Sequence, residues 1–398
     1  MKHATVSPDA NPVAIVDRAD LKTALDALKI ITERRNEIPI LANAKLAADA
    51  GQLLLVGTDL DLELRIRING EVDGRMSTTL PTHLLQSMCV KATASERVSF
   101  TMLPGESDDE QDSNSFASDS TLVRFGSTDY RVNSLPVQDF PEMSKFEGKT
   151  WKFNLPGSAL WNAIDATKEG MSSEETRYYL NGIYLHAMED DGLKLRAVTT
   201  DGHRLYSQML TAPAGAAGMP GIIVPRKTMT TLHKLLKGKG FPSSVSIRLN
   251  DTYVWFKWGA IELRSKLIDG TFPDYARVIP TGNEQVATFE TPALVEAIDA
   301  VTVISSERGR AIKLTLTPGQ CELAVKSPDS GSSQTTVPAE TDIEHLEVGY
   351  NAAYLRDVVK KASPDWEDVT MKLSGPGDPV VITGSLNGWV GVLMPMRV

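Results

Sequence analysis

The chain has 398 residues, of which 41% are hydrophobic and 23% charged. It is therefore too long for one ordinary core and unlike a disordered or membrane protein in composition. A net charge of −10 excludes a surface that is basic all over, but not a basic face confined to one side. No apolar run approaches the roughly 20 residues of a membrane helix, and the first residues lack a secretory signal. Cys89 and Cys321 belong to no metal-binding spacing, so a cytoplasmic protein without structural zinc or disulfides is expected.

The first predicted helix carries Leu21, Ala24, Leu25, Asp26 and Ala27, with Asp17 as N-cap, and its apolar residues share one face. Lys22 and Lys29 lie on it, and it is expected to run on to Arg34 and Arg35. Strands are expected at Gln52–Thr58 and 61–68 around a turn of Thr58, Asp59 and Leu60, followed by a helix that begins in the run Leu80, Pro81, Thr82, His83, Leu84, Leu85. Residues 106–120 are acidic, serine-rich and almost free of apolar side chains, which predicts a flexible insertion. The first third closes on Asp139, Phe140, Pro141 and Glu142.

The same order then returns. A helix with Leu160, Ala163, Ile164, Asp165 and Ala166 starts near Pro156, and a strand is expected at 192–198. A turn at Thr200, Asp201 and Gly202 follows, then a helix opening at Val224, Pro225, Arg226 and Lys227. Strands at Val245–Leu249 and Tyr253–Trp258 lead to Thr271, Phe272, Pro273 and Asp274. A third helix of this type has Leu294, Ala297, Ile298, Asp299 and Ala300, with Thr291 as expected N-cap and Pro292 in the first turn. A strand at 312–316, a helix beginning around Tyr350, Asn351, Ala352, Ala353, Tyr354 and Leu355, and a strand at Val380–Thr383 complete the chain.

The helical pattern LxxA[LI]DA thus occurs three times, beginning at Leu21, Leu160 and Leu294. Shared features at one period of about 130 residues imply three homologous domains, each with two helices on one side of a sheet expected to be antiparallel.

Motifs for catalysis are missing. There is no phosphate loop, no HExxH, no GxSxG, and the six histidines have no metal-ligand spacing. Asp201 and His203 could form an orienting pair for a hydrolase, but Asp-Gly is first of all a turn former between two strands.

The basic residues are unevenly distributed. Between 225 and 250 there is no Asp or Glu, while Arg226, Lys227, Lys234, Lys237, Lys239 and Arg248 fall inside. Arg308, Arg310 and Lys313 follow the third repeated helix, and Arg356 and Lys360 are four apart on the last. If the helices face one way, these side chains line one surface suited to phosphate, with no base-reading motif.

The runs at 177–185 (RYYLNGIYL), 199–205 (TTDGHRL), 272–275 (FPDY) and 394–397 (MPMR), with IVPRK ending at Lys227, together resemble the bacterial DNA polymerase III beta subunit, the sliding-clamp family. The resemblance spans the chain in order. It implies an α+β fold of three clamp domains, 1–147, 148–280 and 281–398, each with two helices packed on antiparallel sheet and assembled as a head-to-tail homodimeric ring. It further implies a processivity factor that encircles duplex DNA without sequence specificity, with no catalytic site, cofactor or metal of its own. Partners would be the replicative polymerase catalytic subunit, the clamp loader and other clamp-binding proteins of replication and repair.

Carried over residue by residue, an apolar partner cleft between the second and third domains would use Leu180, Thr200, Gly202, His203, Arg204, Leu205, Pro273, Arg277, Val278, Asn351, Tyr354, Met394, Pro395, Met396 and Arg397. Arg35, Arg177, Tyr178 and Tyr179 would touch DNA, Tyr178 or Tyr179 alternatively being core. Lys227, Lys234, Lys237, Arg356 and Lys360 would face DNA from the helices. Tyr130 and Val132 would meet Val303 and Ile304 of the other subunit. The chain departs from the family at Gly309, where some members place a bulky apolar residue, and in the acidic stretch. A DNA-binding scaffold that is not a clamp, and the Asp201/His203 hydrolase, are the competing readings.

Overall fold

A computed structural model describes residues 12–103, 120–144, 147–189, 192–237, 240–305 and 311–398. The expectations for 106–119, Lys239, Arg308, Gly309 and Arg310 lie outside the described residues. One order of elements, strand, helix, four strands, helix, three strands, is traversed three times.

The first repeat runs β1 (Ala14–Asp17), α1 (Arg18–Leu28), β2 (Asn43–Asp49), β3 (Gln52–Thr58), β4 (Leu62–Val72), β5 (Met76–Pro81), α2 (Thr82–Lys91), β6 (Arg97–Leu103), β7 (Ser120–Phe125) and β8 (Thr128–Asn133). The second has β9 (Trp151–Leu155), α3 (Gly157–Thr167), β10 (Gly182–Met188), β11 (Lys194–Thr200), β12 (Arg204–Thr211), β13 (Ile222–Pro225), α4 (Arg226–Leu236), β14 (Val245–Leu249), β15 (Tyr253–Trp258) and β16 (Ile261–Lys266). The third has β17 (Gln285–Glu290), α5 (Thr291–Thr302), β18 (Ala311–Thr317), β19 (Gln320–Ser327), β20 (Gly331–Pro338), β21 (Leu346–Asn351), α6 (Ala352–Ala362), β22 (Asp368–Leu373), β23 (Val380–Thr383) and β24 (Trp389–Leu393).

The chain forms two compact units, one of residues 1–154 and 238–266, the other of 155–237 and 267–398. In the first, β4 pairs antiparallel with β16, setting Leu64 against Leu263. In the second, β12 pairs with β24, setting Arg204 against Leu393. The rule is the same in both: the fourth strand of one repeat pairs with the eighth strand of the next. β8 and β20 stand at the ends of their sheets.

Each helix is amphipathic and buries the face that its spacing predicts. Leu21, Ala24, Leu25 and Leu28 are buried on α1, whose N-terminal amides of Ala19 and Asp20 donate to Asp17. Leu160, Ala163 and Ile164 repeat this on α3, and Leu294, Ala297 and Ile298 on α5.

The Asp of LxxA[LI]DA has a role that the pattern alone did not disclose. It ties the first helix of each repeat to the second: Asp26 accepts from Gln86 of α2 at 2.7 Å, Asp165 meets Nε2 of His233 of α4 at 3.0 Å, and Asp299 accepts from Nη2 of Arg356 of α6 at 3.1 Å.

Several expectations are corrected. α1 ends at Leu28 and does not run on to Arg34 and Arg35; the consecutive β-branched Ile30, Ile31 and Thr32 disfavour continuation, and Ile31 and Thr32 turn inward to become buried. Glu290, not Thr291, occupies the N-cap of α5. Pro156 is itself the N-cap of α3, with φ −57° and ψ 137°. β4 extends to Val72 rather than 68 because Gly70 lets β1 approach; a Cβ there would lie 2.7 Å from the Ile15 carbonyl oxygen. β11 starts at Lys194 and reaches Thr200, since Gly192 turns at φ +77°.

Candidate functional site

The second compact unit gathers the expected cleft residues around one turn. After β11, the Thr200 hydroxyl accepts from the Gly202 amide at 3.1 Å and donates to the Arg204 carbonyl at 2.8 Å. One Asp201 oxygen accepts from the amides of His203 and Arg204, both at 3.0 Å. Gly202 has φ +88°, and a Cβ there would lie 2.5 Å from Nη1 of Arg177. The left-handed backbone favours glycine here, and a side chain would also have to displace the mobile end of Arg177.

Arg204 binds this turn to the third repeat. Its guanidinium donates to Asp201 at 3.2 Å, Tyr206 at 3.3 Å, Asp357 of α6 at 2.9 Å and the Glu169 carbonyl at 2.8 Å. It also lies 4.3 Å from the centroid of the Tyr354 ring. His203 stacks on the same ring at 6.2 Å. Asp201 is thus occupied by backbone and Arg204 while His203 faces Tyr354, so the orienting pair expected of a hydrolase is not formed.

β24 brings in the last residues. The Met394 amide donates to the His203 carbonyl at 2.9 Å, and the Met396 amide to the Gly349 carbonyl at 2.8 Å. Asn351 caps α6 by accepting from the Tyr354 amide at 3.2 Å. Leu180 and Leu205 are buried in a cluster with Val198, Ile223, Phe272, Tyr275 and Val392. Val278, Met394 and Met396 are exposed beside it, as are Pro273, Arg397 and Arg277, the last paired with Asp274 at 2.9 Å. Pro395 is half-buried. An apolar floor with flexible methionines and a few fixed polar groups can hold an extended peptide; it offers no acid–base pair.

The buried floor residues Val198, Ile223, Phe272, Tyr275 and Val392 were missed in the sequence reading. Alternation along β11 and β24 was a usable signal for Val198 and Val392. Nothing local marks Asp357 as a partner of Arg204.

The junction of β4 and β16 shows why the first repeat builds no such floor. Its turn is almost a copy: the Leu60 amide donates to Thr58 at 3.1 Å, and those of Asp61 and Leu62 donate to Asp59 at 3.1 and 2.7 Å. The Lys266 amide donates to the Asp61 carbonyl at 2.9 Å, as Met394 does to His203. Where the second repeat has Leu205, however, the first has Glu63, which is fully buried and paired with Arg65 at 2.7 Å and Arg264 at 3.6 Å. A buried charge network occupies the place of an apolar floor.

The expected DNA-facing residues divide into groups. Arg35, Lys227 and Lys234 are exposed. Arg177 makes two hydrogen bonds to Glu174, at 2.8 and 2.5 Å, and lies at the Gly202 turn. Tyr178 is exposed, whereas Tyr179 packs against the floor cluster. Arg356 is held by Asp299. Lys237 lies over the Trp161 ring at 5.4 Å and Lys360 over Trp366 at 5.8 Å. Arg226 points inward, donating to the Met171 carbonyl, and so does not belong to a basic face. Of the expected seam residues, Val303 is 82% exposed, Ile304 packs on the core, Tyr130 is half-buried and Val132 is buried in its own unit. Burial pushes the thiols of Cys89 and Cys321 up to about 12. Among the described residues no group of side chains could hold a metal ion, and no helix is long and apolar enough to cross a membrane.

Three family models match in series: the DNA polymerase III beta subunit N-terminal domain over 14–144, its central domain over 154–274 and its C-terminal domain over 276–397. The chain belongs to the DNA polymerase III beta subunit family. It is 37% identical over 386 residues to the beta sliding clamp of Caulobacter vibrioides, covering 96% of this chain and 99% of that one. With the beta sliding clamp of Pseudomonas putida the identity is 31% over 384 residues, again covering 96% and 99%. Among solved structures, a DnaN sliding clamp from Bartonella birtlesii bound to griselimycin superposes with a TM-score of 0.87 at 37% identity, covering 98% of this chain and 100% of that one. A Caulobacter crescentus beta sliding clamp with PEG bound to its putative beta-motif tethering region gives 0.88 at 35%, covering 97% and 98%. The three-domain α+β clamp fold is that of the family, and so is the function: a processivity factor for DNA polymerase, without catalytic activity of its own.

Proposed function

We propose that two copies of this chain close head to tail around duplex DNA and hold the replicative polymerase, the clamp loader and other partners through the groove described above. The observation that carries the closure is the strand pairing. β4 pairs with β16 and β12 with β24, while β20 and β8 stand at the ends of their sheets. Pairing β20 of one copy with β8 of another repeats the same junction, and two copies use up both edges. Val303 and Ile304 would meet Tyr130 and Val132 of the other copy, and Val303 gains most from the cover. The domain boundaries 1–147, 148–280 and 281–398 fit this arrangement.

Exposed Arg35, Lys227 and Lys234 would meet phosphates inside the ring, together with Arg177, Tyr178, Tyr179, Lys237, Arg356 and Lys360. Such contacts are independent of sequence. Because threading keeps the ring on DNA, contact can be weak enough for sliding. The groove takes an extended peptide with apolar side chains, and we expect this protein to bind griselimycin, since the Bartonella relative is bound to it. The site of action is the cytoplasm.

Retention on DNA tests the reading. Once loaded on a nicked circle the protein stays bound, and it is lost when the circle is cut to a linear form. Equal retention on both would overturn the topological tether, and a light-scattering mass near 43.3 kDa rather than twice that value would overturn the dimer.

A further inference from the structure

We infer that His186, which lies outside the groove, is a positioning residue that sets the groove wall at 273–278 through Tyr275. The inference rests on the groove reading above and adds to it what holds the wall in place. The backbone before the wall is tied to the sheet at Ile268, whose amide donates to the Ile223 carbonyl at 3.0 Å. Past that tie the wall is anchored through the side chains of Phe272 and Tyr275, both buried.

These two side chains enter one stack of rings standing on β10. Phe272 lies parallel to Tyr184, centroids 4.7 Å apart and planes 4° from parallel. Tyr184 in turn stacks on His186 at 4.9 Å. Tyr275 meets Tyr184 obliquely at 6.5 Å and closes the set with a 2.8 Å hydrogen bond from its hydroxyl to Nε2 of His186. The other ring nitrogen, Nδ1, lies 3.2 Å from the Ala187 carbonyl oxygen. That assigns the proton to Nδ1 and makes Nε2 the acceptor of the phenol proton. Desolvation lowers the pKa of His186 and nearby Arg196 acts in the same direction, consistent with a neutral ring.

The register of β10 places the stack. His186 pairs with Arg196 and Tyr184 with Val198, and Val198 belongs to the groove floor together with Tyr275. Tyr184 is held from behind, since a Cβ at Gly221 would come within 2.2 Å of its hydroxyl. His186 therefore grips the short helical turn Tyr275–Arg277, whose neighbours Pro273 and Val278 are exposed and form the wall in the groove reading. Without the grip the wall must be ordered at each binding event, and that ordering lowers affinity without removing a peptide contact.

The test is fluorescence polarisation on the full chain with a fluorescein-labelled peptide carrying the clamp-binding segment of the replicative polymerase. H186L should bind about fivefold more weakly, the worth of one hydrogen bond, with its melting temperature lowered by no more than about 4 °C and its light-scattering mass unchanged. Y275F should lose the same factor, the double variant no more than either single one, and H186Q, whose amide oxygen can accept the phenol proton, should recover most of the loss. Binding by H186L or Y275F at wild-type strength, or losses that multiply in the double variant, would overturn the inference. Y275F keeps the ring and carries the test if H186L folds poorly. A chain lacking 394–398 serves as control: if it still binds the peptide, the groove reading fails instead.

Discussion

Replacing Asp165 by Asn removes a charge on which three helices converge. Asp165 of α3 pairs with Lys168 at 2.5 Å, with Lys361 of α6 at 3.0 Å and with His233 of α4 at 3.0 Å. Burial pushes its carboxyl upward, but hydrogen bonds from Lys168 and Lys361 outweigh this and hold it at about 2, against 3.8 when unperturbed. That difference corresponds to roughly 2.4 kcal/mol. Water reaches 29% of the side chain, so we expect about 1–2 kcal/mol to survive screening. The folded-state value is depressed, so this stability is fully present above about pH 4 and is lost as pH falls towards 2. Asn is uncharged at every pH; D165N should therefore melt roughly 3–6 °C below the parent at neutral pH, and the gap should narrow on acidification. Asp26 and Asp299 occupy the same place in their repeats but are 42% and 45% exposed, so D26N and D299N should cost less than about 0.5 kcal/mol. Calorimetry between pH 3 and 7 reads all three. A D165N loss no larger than that of D299N, or one independent of pH, would refute the reasoning.

The two copies of the turn respond oppositely to substitution. G202A forces an L side chain to φ +88° against Arg177 and should cost about 1–2 kcal/mol in denaturant unfolding. L60G, at φ +82°, should stay within about 0.5 kcal/mol of the parent, because relief of strain offsets the added freedom of the unfolded chain. E63A leaves Arg65 and Arg264 facing each other without their shared carboxylate and should destabilise the first unit by about 3 kcal/mol; a urea midpoint close to the parent's would contradict the buried network.

Much of the fold was legible locally. The helices at Leu21, Leu160 and Leu294 announce themselves by apolar spacing, because a helix exposes its period within a few residues. Val245–Leu249, Tyr253–Trp258 and Val380–Thr383 coincide with observed strands for the same reason. Polar β20, with the sequence GSSQTTVP, carries no such signal; it is a strand because β19 supplies its hydrogen bonds.

The sequence by itself determined that one unit is repeated three times, that each repeat has two amphipathic helices and several strands, where two equivalent turns lie and, by resemblance, the family. Those are properties of neighbours in the chain. Only the tertiary structure decided that the repeated Asp fastens two helices, that Arg226 turns inward and that Val132 is covered by its own unit. It alone showed that Leu205 and Glu63, in equivalent places, join a buried apolar cluster at one junction and a buried ion network at the other. Each of these depends on a partner far along the chain, as Arg204 depends on Asp357 and Glu63 on Arg264, and no local spacing records which distant residue will arrive.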